Sequence, residues 1–491
     1  MNAALGVYYN IGYAITNFFI ILIVFRYSKL LASALVIIYS VIACLLFPVV
    51  ANFGKPNINM VSSLLYANNE EIFSTIKSLH LIWILIGIAT LVLGLFLVKF
   101  RSRWPVIRHK TALLLLVITA AGILIPPYLE DNERGFADDV KYPPFIALKK
   151  TWDAFAAIDK TNKMIAQGEI SKSDFSPRLI NNPRYHTFIM VIDESVRRDY
   201  MQVYGAPVDD TPFLSRSAGT FFNNYVSAGF STVPSLTHSL LRVGSGGLQY
   251  HNSVIRLAQA AGLETSWISN QGFYGYYDAP LAVIGKQADR AYFAKLGNAE
   301  LKKYTPDSLL MPEIMKSLAA KKPKLVIIHL VGSHPDFCTR VNDRYDIKLK
   351  DIPHSCYVQS IRNTDRLLSD ITAAASHAGD KWSMLYFGDH GLSHSPATGE
   401  LLHRDGAKEN YMPPFAVIDY DSREKKHIAA LRSGFDFQRI FAQWIGVVEP
   451  LLNAGCDYFS EQACLNKARV LDGNMQLMDF SSLPSDPPRG W

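Results

Sequence analysis

The sequence predicts an α/β domain with a mostly parallel sheet, preceded by an N-terminal transmembrane helical anchor. Four long apolar runs fall in the first quarter of the chain, and beyond Pro183 short apolar runs alternate with longer helical stretches. The 491 residues are 49% hydrophobic and 19% charged, with mean hydropathy +0.09, which excludes a disordered or collagen-like chain. The net charge of +6 is small for this length and partly concentrated in one loop, so it argues against a nucleic-acid partner.

The apolar runs are Leu5 to Phe25, Leu30 to Val50, Leu79 to Val98 and Thr111 to Pro127. Each approaches the ~20 residues that cross a bilayer. The first lacks the basic start of a signal peptide, since no Lys or Arg precedes Arg26. Arg26 and Lys29 lie between runs one and two, and Lys99, Arg101, Arg103, Arg108 and Lys110 lie between runs three and four. Both loops are therefore expected on the cytoplasmic side. An even number of crossings then exports everything after Pro127. The expected organisation is a transmembrane domain over 1–129, a juxtamembrane linker over 130–183 and an extracytoplasmic domain over 184–491.

Of five cysteines, Cys44 lies in a membrane run and Cys338, Cys356, Cys456 and Cys464 lie in the exported part. Four cysteines allow three pairings. Local pairing, Cys338 with Cys356 and Cys456 with Cys464, closes the shortest loops and suits an oxidising compartment. In the linker, Phe145 to Ile165 carries Ile146, Trp152, Phe155, Ile158 and Ile165 at mostly helical spacing. That stripe fits an amphipathic helix on the bilayer surface and equally a helix packed on the exported domain.

In the exported part, strands are expected at His186 to Ile192, Glu264 to Ile268, Lys324 to Leu330, Trp382 to Phe387 and Pro414 to Ile418. Helices are expected at Pro234 to Val243, His251 to Ala260, Leu309 to Ala319, Cys356 to Ser376 and Phe435 to Val447. Ligands in such open sheets sit beyond the carboxyl ends of the strands.

Three of those ends carry chemistry: Asp193-Glu194-Ser195, Gly332-Ser333-His334 and Gly388-Asp389-His390-Gly391. Mixed carboxylate and imidazole ligands suit zinc. A nucleophile is offered by Gly229-Phe230-Ser231-Thr232-Val233-Pro234, where Pro234 suits a first helical turn and puts both hydroxyls at a helix N-terminus.

With these residues the chain resembles the membrane-bound phosphoethanolamine transferases of the alkaline phosphatase and sulfatase superfamily. Glu194, in Glu-Ser-Val-Arg-Arg-Asp, is similar to the family's Gly-Glu-Ser-x-Arg-x-Asp segment, whose Glu is a zinc ligand. Thr232 resembles the threonine that ligates zinc and becomes phosphorylated, with Ser231 as the alternative nucleophile. Asp389 and His390 resemble the Asp-His zinc pair. His334 and His403 resemble histidines that contact the bound phosphate group or a second zinc. Asp193 replaces the family's Gly and is a candidate further ligand, and Pro335 replaces a Gly.

The resemblance implies a zinc-dependent transferase, with one zinc ion and a second left open. It would move phosphoethanolamine from phosphatidylethanolamine through a phospho-threonine to an envelope glycan or glycolipid: lipid A, a lipopolysaccharide core or another polysaccharide. A multi-pass, monomeric protein of the bacterial inner membrane with a periplasmic catalytic domain is expected. The alternatives are a phosphodiesterase or phosphatase-type hydrolase, a phosphoglycerol transferase, and a non-catalytic lipid-binding or transport protein. His394, close to His390, is a further candidate site residue, whereas Asn270 and Gln271 read as a polar turn. Ser485-Asp486-Pro487-Pro488-Arg489 reads as an irregular tail, far in sequence from the metal segments.

Overall fold

The computed structural model describes residues 11–53, 81–129, 172–179, 184–273, 279–295, 304–395, 399–452, 455–473 and 475–491, apart from isolated positions. The chain divides into two units, Met1–Ile158 and Asp159–Trp491.

In the first unit each apolar run is a helix: α1 (Ile11–Tyr27), α2 (Lys29–Phe53), α3 (Leu81–Lys99) and α4 (His109–Leu129). Among the described residues α3 is long and apolar enough to cross a membrane, while the other apolar stretches are Ile15–Tyr27, Lys29–Leu45 and His109–Ile123. Helices α2 and α3 approach closely because glycine faces the contact. A Cβ at Gly94 would lie 2.0 Å from the Ser40 hydroxyl, and one at Gly87 2.8 Å from the Cys44 carbonyl. The two basic connections lie at one end of this unit: Phe25 packs on Trp104 with centroids 4.9 Å apart, and the Tyr27 hydroxyl meets His109 Nδ1 at 3.0 Å. The loop between α2 and α3 and most of the linker stripe lie outside the described residues. Trp152 and Phe155 are exposed.

The second unit is built on an eight-stranded sheet. Its strands are β1 (Thr187–Asp193), β2 (Gly219–Phe222), β3 (Glu264–Ser269), β4 (Arg290–Phe293), β5 (Lys324–His329), β6 (Trp382–Gly388), β7 (Phe415–Asp419) and β8 (Lys425–Ile428), in the spatial order β8-β2-β7-β6-β1-β5-β3-β4. Strands β6, β1, β5, β3 and β4 pair in parallel, and β7 runs against both neighbours. The sheet is mixed and mostly parallel. All five expected strands are present, and β2, β4 and β8 are added at or near its edges.

Both faces are covered, which is why β1 is buried at every position rather than alternately. Phe188, Met190 and Ile192 face a core shared with α5 (Thr232–Leu240), α6 (Val254–Ala260) and α9 (Phe437–Trp444). Ile189 and Val191 face the core that holds α7 (Met311–Leu318) and α8 (Ile352–His377). Four of the five expected helices are shorter than expected, α5, α6, α7 and α9. Leu241–Gly244 and Gly247–Ser253 form a hairpin between α5 and α6, because Gly244, Gly246 and Gly247 favour a turn over helix. Helix α8 starts earlier than expected, where the Asp351 side chain accepts the His354 amide at 2.8 Å. The disulfides are Cys338–Cys356 and Cys456–Cys464, as local pairing predicts.

Candidate metal and nucleophile site

The site follows from register. Gly388 at the end of β6 stands opposite Asp193 at the end of β1, so the next residues, Asp389 and Glu194, emerge side by side. The Asp389 amide donates to the Asp193 carbonyl at 2.9 Å, and the Asp389 carboxylate accepts the amides of Ser195 at 3.0 Å and His390 at 2.7 Å through Oδ1. Ser195 holds a left-handed φ of 60°, a strained conformation for a side chain of its kind. Strand β5 closes the third side, where the Ser333 amide donates to the Glu194 carbonyl at 3.0 Å.

Thr232 opens α5, with Ser231 at its N-cap. The turn needs Gly229, because a Cβ there would lie 2.8 Å from both Pro234 Cβ and the Ser235 amide. The Thr232 hydroxyl donates to Glu194 Oε2 at 2.9 Å and stands 3.4 Å from His390 Nε2. The helix N-terminus favours negative charge developing on that oxygen. Ser231 makes no capping hydrogen bond with its side chain.

Around His390 Nε2 stand Asp389 Oδ2 at 3.3 Å, Glu194 Oε1 at 3.4 Å and the Thr232 hydroxyl. His390 Nδ1 lies 2.6 Å from the Gly391 carbonyl, which can only accept, so Nδ1 carries the proton and Nε2 presents its lone pair. Asp389 Oδ2 is buried without a hydrogen-bond partner. Three acceptors and one hydroxyl thus converge, the Thr232 hydroxyl being the donor among them. Such a donor set fits a divalent cation. The electrostatics agree: burial and the adjacent Glu194 push Asp389 well above the usual carboxylate range. Burial acts the same way on Glu194, but its contacts with His390 and His403 outweigh it and hold that carboxyl well below its ordinary value.

His403 reaches the same cluster: Glu194, His390 and His403 offer ligand atoms within 4.8 Å of one another. Its Nε2 is 3.1 Å from the Ser195 hydroxyl, which itself donates to Glu194 Oε1 at 2.7 Å. His334 lies one ring further out, 5.6 Å from the His403 centroid, with its Nδ1 against the Pro335 carbonyl. Burial lowers its pKa.

Two expected candidates are placed elsewhere. Asp193 turns away from the cluster: Oδ2 accepts the Tyr386 hydroxyl at 2.8 Å and Oδ1 the Glu194 amide at 3.0 Å. Alternation along the strand sends it to the opposite side from Glu194. A Cβ at Gly332 would lie 2.0 Å from that Oδ1, so the carboxylate fills space a side chain would occupy. His394 is buried against Asp486 and Tyr200 rather than in the cluster. Two residues that sequence reading set aside or passed over do reach it: Ser195, and Gln271, whose Nε2 is 3.4 Å from Glu194 Oε2 and 2.8 Å from the Leu330 carbonyl.

Comparison with known proteins agrees with this geometry. The Sulfatase family model matches residues 186–447. The phosphoethanolamine transferase OpgE of Escherichia coli (strain K12) is 31% identical over 494 residues, covering 99% of this chain and 93% of that protein. The chain belongs to the phosphoethanolamine transferase family. It is an enzyme with a sulfatase-type catalytic domain. Phosphoethanolamine transferase EptC of the same strain is 25% identical over 242 residues, 45% of this chain and 41% of that protein. The zinc complex of the C-terminal periplasmic domain of Escherichia coli EptC superposes with a TM-score of 0.55 at 20% identity, covering 64% of this chain and 97% of that domain, and so shares the fold.

A cavity of about 220 Å³ lies beside the site, lined in part by Tyr304, Asp307, Gly332, Arg340, Asn363 and Arg366. Gly332 is the shared wall, since its Cβ position lies 3.0 Å from the Glu194 amide.

Proposed function

We propose that this family member transfers phosphoethanolamine from phosphatidylethanolamine to a hydroxyl or phosphate of an envelope glycan or glycolipid, with Thr232 as the covalent nucleophile. The observation that carries the reading is the Thr232 hydroxyl at a helix N-terminus, in hydrogen-bond contact with Glu194 and adjacent to His390 Nε2. Glu194, Asp389, His390 and Thr232 would hold one zinc ion, which when bound lowers the pKa of a hydroxyl beside it.

In the first half-reaction Thr232 Oγ1 forms a bond to phosphorus as the bond to the diacylglycerol oxygen breaks. The hydroxyl proton leaves to solvent, while the hydrogen bond to Glu194 orients the oxygen. His403 and His334 face the transferred group, where one donates to its oxygens and the other returns a proton to the departing diacylglycerol oxygen. The second half-reaction reverses these roles with the acceptor oxygen in place of diacylglycerol. The hydrogen-bonding side chains of the neighbouring cavity support a hydroxyl-rich acceptor.

The remaining assignments belong to the same proposal. The four apolar helices span the bacterial inner membrane, supported by their paired basic ends. The catalytic unit faces the periplasm, supported by its two disulfides. An anchored enzyme stays with its lipid donor.

Intact mass measurement of the full chain in detergent, with zinc and phosphatidylethanolamine, tests this reading. A gain of about 123 Da that disappears in Thr232→Ala is the expected result. Retention of the adduct in that variant excludes Thr232, and headgroup release without any adduct favours hydrolysis.

A further inference from the structure

The C-terminal string Ser485-Asp486-Pro487-Pro488-Arg489 is irregular, as its composition implies, yet it does not hang free. Its backbone is tied at successive points. The Lys408 amide donates to the Pro484 carbonyl at 3.0 Å, the Asp486 amide to Glu409 Oε2 at 2.6 Å, and the Lys350 amide to the Gly490 carbonyl at 3.0 Å. The Tyr200 hydroxyl sits between the amide and carbonyl of Arg489, 2.8 Å from each.

The buried Asp486 is the centre of this clasp. Its Oδ2 accepts Arg197 Nη1 at 2.9 Å and the His394 amide at 2.7 Å, and both its oxygens lie within 3.0 Å of His394 Nδ1. Its carbonyl accepts Arg197 Nη2 at 2.6 Å. Arg197 is wholly buried and is also bound by Asp199. The two partners come from the two loops that carry the proposed metal ligands: Arg197 lies three residues after Glu194, and His394 four after His390. One carboxylate therefore joins the loop that follows β1 to the loop that follows β6. Arg197 lies so close to the second loop that a Cβ at Gly391 would be 3.2 Å from its Cγ. Its backbone amide is held in turn by the Tyr357 hydroxyl, which donates to the Ser195 carbonyl at 2.9 Å.

We propose that Asp486 is a positioning residue for the reaction: through Arg197 and His394 it fixes the spacing of Glu194 against Asp389 and His390, so the segment around residue 486 braces the metal site. This rests on the metal reading of the site given above. Loss of an outer partner of a ligand set typically weakens metal affinity 10- to 100-fold. The same range is expected here for Asp486→Ala.

The test uses the full chain in detergent and measures zinc affinity by competition with a chelator, alongside amide hydrogen exchange of the metal-free protein over 194–198 and 389–394. The expected result is about 10- to 100-fold weaker zinc binding and faster exchange in both loops for Asp486→Ala. Lys324→Met serves as the control. It removes the ion pair to Asp380 at the opposite end of β5, and should lower the melting temperature while leaving zinc affinity unchanged. If Asp486→Ala does not fold, Asp486→Asn, which keeps the side chain's shape and one acceptor oxygen but removes its charge, carries the same comparison. Unchanged affinity and unchanged exchange would overturn the proposal. If the wild-type protein binds no zinc, the metal reading fails, and exchange in the two loops still decides whether Asp486 braces them.

Discussion

The Thr232 hydroxyl donates to Glu194 Oε2 across 2.9 Å, joining the start of α5 to the end of β1. A threonine used only as a cap would turn its oxygen back toward the helix amides; this one donates its proton outward to a buried carboxylate. Thr232→Ala should abolish the covalent adduct and slow headgroup transfer by at least about 10³-fold. Ser231→Ala should change it less than about threefold, because the Ser231 side chain makes no capping hydrogen bond and it is Thr232 that holds Glu194. Timed transfer from labelled phosphatidylethanolamine with the two variants side by side measures the difference.

His390 and His403 divide the work. His390 is completely buried, with its tautomer set by the Gly391 carbonyl, whereas His403 is partly exposed, 3.9 Å from Glu194 Oε1, and held by Ser195. His390→Ala should therefore lose bound zinc, and His403→Ala should keep it while transfer slows by about 10²- to 10⁴-fold. Elemental analysis of both purified variants decides the point: loss of metal from His403→Ala would make that histidine a ligand. Treating the wild type with a chelator should stop transfer, and restoring zinc should recover it.

What could be read from the sequence depended on whether a feature was local. Strands β1, β5 and β6 are buried throughout and built on apolar runs because both sheet faces are covered, so they stand out against their surroundings. Strands β4 and β8 are short, with Arg290, Lys425 and Lys426 among their residues, and β8 takes its partner from far along the chain, Lys425 standing opposite Gly219. Glu194, Asp389 and His390 were legible because chemistry gathers at strand ends. Ser195 and Gln271 were not, since a polar residue after a strand reads as a turn until the fold shows what it faces. His394 misled for the opposite reason: four residues from His390, it lies on a short strand whose direction carries it to Asp486. That aspartate was hidden in a proline-rich tail, 92 residues from His394 and 289 from Arg197.

The Cys338–Cys356 bridge ties the segment after His334 to the first turns of α8, with 18 residues of separation. A loop of this size is worth about 3 kcal/mol in restricted unfolded-chain entropy. Replacing both cysteines by serine should lower unfolding free energy by about that amount and reduce transfer more than the Cys456–Cys464 replacement does. The second bridge closes a loop with separation 8 near the surface, remote from His334 in sequence. Urea unfolding and transfer rates of the two double variants give both comparisons.

Asp210 supplies a pH dependence separate from the site. Burial raises its pKa to about 7, against stabilising contacts that include the Gln202 amide at 2.9 Å, and Asp365 nearby adds to the rise. Its Oδ2 is buried without a partner. A carboxyl whose folded pKa is raised contributes its full stability below the unfolded value of 3.8 and loses it as pH rises through 7. Asp210→Asn keeps an acceptor for Gln202 and cannot ionise, so it should be more stable than the wild type at pH 8, by about 2–4 kcal/mol. The advantage should fall below half at pH 5 and vanish where the unfolded aspartate is itself protonated. Unfolding of both proteins across this range measures the gap at each pH, and a gap independent of pH would show that Asp210 is already charged in the folded protein.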